Sequence, residues 1–313
     1  MITTSTNEIL MVRPASFGFN PETAESNAFQ SSDLAMQSIS ISIAALQEFD
    51  QMVQLLRKND ITVHVIEDTT IPLKPDAIFP NNWISFHTNG QIITYPMMAL
   101  SRQKEVRSDV LSMALQDWSF NTILRLDARS RQGQYLEGTG SMILDRPNKI
   151  VYACLSPRTD AVLLQEWAKI NHYLPFTFRA VDAGNKEIYH TNVIMALGDN
   201  FAIICLDCIP EIDEKEQLLK LLVDSGKTIV PISLQQVLHF AGNMLQVLTN
   251  DGQKVLVMSE QAYQALEPEQ IQVLAQFARL LPIPLWTIEK YGGGSARCMM
   301  AEVFKPGNNN TCN

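Results

Sequence analysis

Apolar and polar positions along this chain alternate between two periods. A helical period, with apolar residues three or four apart, predicts helices near Ser40–Lys58, Arg102–Trp118, Thr159–Asn171, Glu211–Ser225 and Pro268–Leu281. Between them lie short β-branched and apolar runs that read as strands. These are Ile9–Arg13, Ile61–Ile66, Ile78–Phe86 with Ile92–Tyr95, Ser141–Leu144 with Ile150–Ala153, Val193–Ala196 with Ala202–Leu206, Leu245–Leu248 with Val255–Met258, and Arg297–Phe304. Polar turns such as His87–Gly90, Gly198–Asn200 and Asn250–Gly252 join several of these pairs, which is hairpin chemistry.

The order hairpin, helix, single strand recurs along the chain. The polar residues that open successive hairpins are Asn82, Glu137, His190, Asn243 and Cys298, separated by 55, 53, 53 and 55 positions. A period this even predicts repeated ββαβ modules. The strand at Ile9–Arg13 lacks a hairpin partner nearby and Arg297–Phe304 lacks a following helix, so the two ends are expected to pair and close a ring of five modules. Closure removes exposed sheet edges and turns five equivalent strand starts toward one central cleft. With no composition shift along the chain, residues 1–313 are read as a single α/β domain, a pseudo-fivefold propeller. Ala15–Gln37 is expected to be a loop over one mouth of the ring, and Lys305–Asn313 a frayed tail.

Composition narrows the partners. With 46% apolar and 18% charged residues the sequence is that of an ordered globular protein, and its net charge of −9, without a basic stripe, disfavours nucleic acid. No leader-like start and no long apolar window is present, so a membrane is not expected. Five scattered cysteines suit reduced thiols and a cytoplasmic location. Homo-oligomerisation is left open.

Three residues stand out as chemistry. Cys298 follows Gly292-Gly293-Gly294-Ser295-Ala296-Arg297, where a flexible backbone brings N–H groups near a ligand and a neighbouring cation favours thiolate. His190 and Glu137 hold the corresponding points of earlier modules. Each alone is ordinary: a buried cysteine, a strand-end histidine, a loop acid. Brought to one axis, they become candidates for nucleophile, base and orienting carboxylate. Arg13, Arg297 and, less favourably, Arg146 are candidates to clamp a substrate carboxylate. Cys205 and Cys208 have the spacing of a half zinc site with no second half, so neither metal nor cofactor is expected.

The segments Asp76–Trp83, Glu137–Gly140, His190–Asn192 and Gly292–Cys298 resemble, in order, those of the pentein superfamily of guanidine-modifying hydrolases and amidinotransferases. Arginine deiminase and dimethylarginine dimethylaminohydrolase belong to it. Together with Val12-Arg13-Pro14, the pattern is most similar to citrulline-utilisation hydrolases. The resemblance implies a five-bladed α/β propeller, with Cys298 as nucleophile, His190 as acid/base and Glu137 as its partner. Where arginine deiminases typically carry two substrate-clamping aspartates, this chain has Asn82 and Asn192. Carboxylates favour a cationic guanidinium, whereas a carboxamide N–H satisfies a neutral ureido carbonyl. The expectation is therefore hydrolysis of citrulline to ornithine, ammonia and carbon dioxide through a thioester-type intermediate. The alternatives are an arginine hydrolase with Asp76 supplying the charge, an amidinotransferase, or a non-catalytic binding protein of the same fold.

Overall fold

The computed structural model of the chain describes residues 4–24, 26–27, 29–31 and 38–307. Its strands form five three-stranded sheets of one design: an antiparallel pair, then a third strand parallel to the middle one. The first sheet contains β1 (Glu8–Arg13) and β2 (Thr62–Glu67). The second holds β3 (Ile84–Phe86), β4 (Gln91–Thr94) and β5 (Thr122–Arg125). The third holds β6 (Ile143–Asp145), β7 (Ile150–Leu155) and β8 (Leu174–Arg179). The fourth holds β9 (Met195–Leu197), β10 (Phe201–Ile204) and β11 (Thr228–Pro231). The fifth holds β12 (Leu245–Leu248), β13 (Lys254–Ser259) and β14 (Arg279–Ile283). The last strand, β15 (Ala301–Glu302), returns to pair antiparallel with β1, placing Ile9 opposite Glu302 and Leu10 opposite Ala301. The ends close the ring as their missing partners predicted.

A parallel pair needs a crossover, and a helix supplies it in every module. These helices are Ser38–Lys58, Ser108–Asp117, Ala161–Asn171, Ile212–Asp224 and Pro268–Ala275. Each lays an apolar stripe on its sheet; in the first, Ala45, Phe49, Met52 and Leu56 are fully buried. Two expected helices are shorter than their apolar pattern suggests. The run from Arg102 divides into Leu100–Gln103 and Ser108–Asp117, because Glu105 turns inward to hold Arg102 by two hydrogen bonds of 2.9 and 3.0 Å. The run from Pro268 stops at Ala275, and its last apolar residues become β14 alongside β13.

A further correction bears on the site. Asn82, Glu137, His190 and Cys298 do not open strands directly. Asn82 ends a single 3-10 turn (Pro80–Asn82), while Glu137 and His190 each precede one-turn elements, Gly138–Ser141 and Thr191–Val193. Cys298 lies in consecutive turns in which its N–H donates to the Ser295 carbonyl. The expected strand from Arg297 is accordingly reduced to β15. A turn before each strand directs a polar tip toward the axis while the apolar run behind it enters the sheet. The loop expected at Ala15–Gln37 contains a one-turn helix, Pro21–Ala24, and part of it, with residues 32–37, lies outside the described residues. At the start of the expected tail Lys305 pairs with Glu8 at 2.6 Å, and residues 308–313 lie outside the described residues.

Candidate active site

The modules bring the five periodic residues to one axis through short contacts between neighbours. His190 Nε2 lies 2.8 Å from Glu137 Oε2. Asn243 Nδ2 donates to the Asn192 carbonyl at 2.9 Å and to Cys298 Sγ at 3.2 Å. Asn192 Nδ2 donates to the same sulfur at 3.4 Å. The fifth, Asn82, donates to the Glu137 carbonyl at 3.4 Å. Close packing at the axis requires a glycine: a Cβ on Gly140 would lie 2.3 Å from Asn82 Nδ2 and 2.7 Å from His190 Nδ1.

Glu137 is fully buried and anchored on both oxygens. Oε1 accepts the Met98 N–H at 2.9 Å, and Oε2, besides facing His190, accepts from Arg158 Nη1 at 3.5 Å. Burial alone would favour the neutral acid, but the Arg158 charge, the His190 hydrogen bond and Arg102 together hold this carboxyl well below the usual carboxylate range. His190 moves down, to about 4, because burial disfavours the imidazolium more than Glu137 supports it. The pair thus rests as carboxylate and neutral imidazole, with Nδ1 left to exchange a proton.

Cys298 and His190 line one small cavity, of about 20 Å³, with Asn82, Asp76, Arg102, Arg158 and Tyr189, room for little more than a water molecule. Asp76 is buried; Asn20 and Thr23 donate to its Oδ2 at 2.8 and 3.3 Å, its Oδ1 has no hydrogen-bond partner, and burial raises its pKa. The Asn82 oxygen accepts from Arg102 Nη1 at 2.8 Å, while the Asn192 side-chain oxygen is buried without a partner. The segment before the first long helix closes one side. Gln30 and Asn27 donate to the Gly292 carbonyl at 3.0 and 3.4 Å, and Arg158 reaches the Thr23 carbonyl at 3.1 Å.

Two expected carboxylate clamps are not brought to this cavity. Arg13 makes a bidentate pair with Asp50 at 2.7 and 2.8 Å on the crossover helix of the first module. Arg297 pairs with Glu302 at 2.8 Å and lines a different cavity. Arg146 stacks on Phe304. In their place stand Arg102 and Arg158, both buried, which the sequence did not single out. Their only signal is position, about twenty residues after Asn82 and Glu137 respectively. Cys154, Cys205 and Cys208 are buried and free, and no group of three His, Cys, Asp or Glu suited to a metal occurs among the described residues. No helix among them is long and apolar enough to cross a membrane.

A ring of five ββαβ modules around a polar axial site is the pentein fold. The family described as N,N dimethylarginine dimethylhydrolase, eukaryotic, matches residues 13–305, and the chain belongs to it. Among solved structures, the N-terminal domain of ArgZ, an arginine dihydrolase from the ornithine-ammonia cycle in cyanobacteria, is similar with a TM-score of 0.74 at 17% identity. That match covers 96% of this chain and 98% of the other. AgrE in complex with L-arginine gives a TM-score of 0.71 at 16% identity, over 96% of this chain and 41% of AgrE. Dimethylarginine dimethylaminohydrolase, as an adduct with S-methyl-L-thiocitrulline, gives 0.63 at 14% identity, over 94% and 98%. No curated protein matches.

Proposed function

We propose that this protein is a cysteine hydrolase that removes nitrogen from the ureido or guanidino carbon of an arginine-like amino acid, with Cys298 as nucleophile and citrulline as substrate. The observation that carries it is the sulfur of Cys298, held by two carboxamide N–H groups and sharing one cavity with His190, whose ring Glu137 holds from behind. His190, neutral at rest, takes the thiol proton as substrate arrives. The sulfur adds to the ureido carbon, and His190 passes the proton to the departing ammonia. Glu137 holds the ring and stabilises the imidazolium formed on the way. Water, deprotonated by His190, then cleaves the S-carbamoyl thioester, releasing the thiol and a carbamate that decomposes to ornithine and carbon dioxide. Asn82 and Asn192 hold the ureido group, and Arg158, whose carboxylate contact at 3.5 Å is long, receives the substrate carboxylate.

Arginine as substrate is the second reading. It is favoured by Asp76, a buried acid in the cavity with one oxygen free of hydrogen bonds, which a guanidinium would engage. The similarity to ArgZ, an arginine dihydrolase, points the same way. Purified protein given citrulline or arginine in parallel, with ornithine and ammonia measured, decides between them. Two ammonia per ornithine from arginine, with citrulline untouched, rules out the first reading; one ammonia per ornithine from citrulline alone supports it.

A further inference from the structure

Of the five residues that the repeat places at equivalent points, four carry a proposed part in the reaction and Asn243 does not. Its carboxamide is nonetheless engaged at both ends. Nδ2 donates both to Cys298 Sγ at 3.2 Å and to the Asn192 carbonyl at 2.9 Å, and Oδ1 accepts the Arg297 N–H at 3.1 Å. One carboxamide therefore ties the sulfur, the turn before it and the neighbouring module into one unit. The preceding residue allows that approach: a Cβ on Gly242 would lie 2.2 Å from the Val193 carbonyl, so only glycine brings the two modules this close.

We propose that Asn243 is a positioning residue for the nucleophile, and that with Asn192 it forms a cradle of two neutral N–H donors that stabilises the Cys298 thiolate and aims it into the cavity. A thiolate gains more than a thiol from such donors, so the cradle favours the reactive form without placing a cation against the sulfur. The arrangement rests on the reading of Cys298 as nucleophile, and it assigns Asn192 to the sulfur as well as to substrate. The other charged or titratable groups around it, His190, Tyr189, Arg102, Arg158 and Asp76 on the cavity, Glu137 behind His190 and Glu289 bonded to Ser295, stay unchanged in the variants that test it.

The test is the rate of iodoacetamide alkylation of Cys298 against pH, followed by mass spectrometry of the labelled peptide, in wild type, Asn243→Ala and Asn243→Asp. The aspartate keeps the shape and the acceptor for the Arg297 N–H but presents a carboxylate oxygen to the sulfur. Half-maximal alkylation is expected to move up by about one pH unit or more in the alanine variant, and further in the aspartate. In turnover assays, kcat should fall by roughly tenfold or more while KM stays within about threefold, as for a group acting on the nucleophile. Label on Cys298 with an unmoved profile in Asn243→Asp overturns the proposal alone. Label confined to another cysteine overturns the nucleophile reading as well. Loss of the folded state in both variants, judged by circular dichroism, assigns Asn243 to the scaffold and also overturns the proposal.

Discussion

Replacing Glu137 by Gln exchanges one carboxylate oxygen for an NH₂ group in a fully buried site, and the contacts on either side of that group set the outcome. Glu137 accepts on both sides, from the Met98 N–H at 2.9 Å through Oε1, and from His190 and Arg158 through Oε2. A glutamine has one oxygen to give. If it stays on Met98, the new NH₂ faces His190 Nε2 and the Arg158 guanidinium, forcing the imidazole into the tautomer with its proton on Nδ1. That nitrogen then accepts nothing from Cys298. If the amide flips, its NH₂ opposes the Met98 N–H, and a buried donor loses its partner at a cost of about 1–3 kcal/mol. In both cases the charge that supports an imidazolium is gone. Loss of a positioned base is worth ~10²–10⁴ in rate, and the variant's kcat is expected to fall in that range with a smaller change in KM. Arg158 also loses its nearby carboxylate, so thermal stability should drop. The assay is single-turnover ornithine release from citrulline and arginine at neutral pH, with melting temperature measured alongside. A folded Glu137→Gln enzyme retaining kcat within about threefold of wild type would refute the proposed pair, since acid/base roles are not worth so little.

Cys298→Ala should abolish turnover in a folded protein that still binds substrate by calorimetry, whereas Ser or Ala at Cys154, Cys205 or Cys208 should leave the chemical step intact; a tenth of wild-type activity in Cys298→Ala removes it as nucleophile. His190→Gln should slow both formation and hydrolysis of the covalent intermediate by ~10²-fold or more, and in the double variant with Glu137→Gln the losses should not multiply. Asn82→Asp with Asn192→Asp should cut citrulline turnover and raise arginine affinity, through charge-assisted hydrogen bonds of ~1.5–3 kcal/mol each before desolvation; a double variant that keeps a citrulline preference argues against the amides setting substrate charge. Stability should rise with pH between about 4, the folded value for His190, and about 6.5 in the unfolded chain, where the unfolded state binds the extra proton. Denaturant midpoints across that window should climb in wild type and climb less in His190→Gln; equal slopes would mean that His190 is not held neutral by burial.

The fivefold organisation is legible in the sequence because strand, helix and turn signals are local and repeat at nearly constant intervals. The same period marks Asn82, Glu137, His190, Asn243 and Cys298 as equivalent, and the structure brings them to one axis. Local signals end there. A polar residue followed by an apolar run reads as the start of a strand, yet burying its tip at a crowded axis requires a helical turn first, a demand made by neighbouring modules. Arg102 and Arg158 look like surface arginines along the chain; they become cavity walls because the fold buries them beside Glu105, Asp76 and Glu137. Arg13 and Arg297 show the converse. Placed promisingly in sequence, they satisfy Asp50 and Glu302 instead, since a guanidinium pairs with whichever carboxylate the tertiary structure sets within reach. Periodicity determined which modules meet and in what order, whereas burial and charge pairing, which depend on residues distant in the chain, decided which side chains face the cavity and in what protonation state.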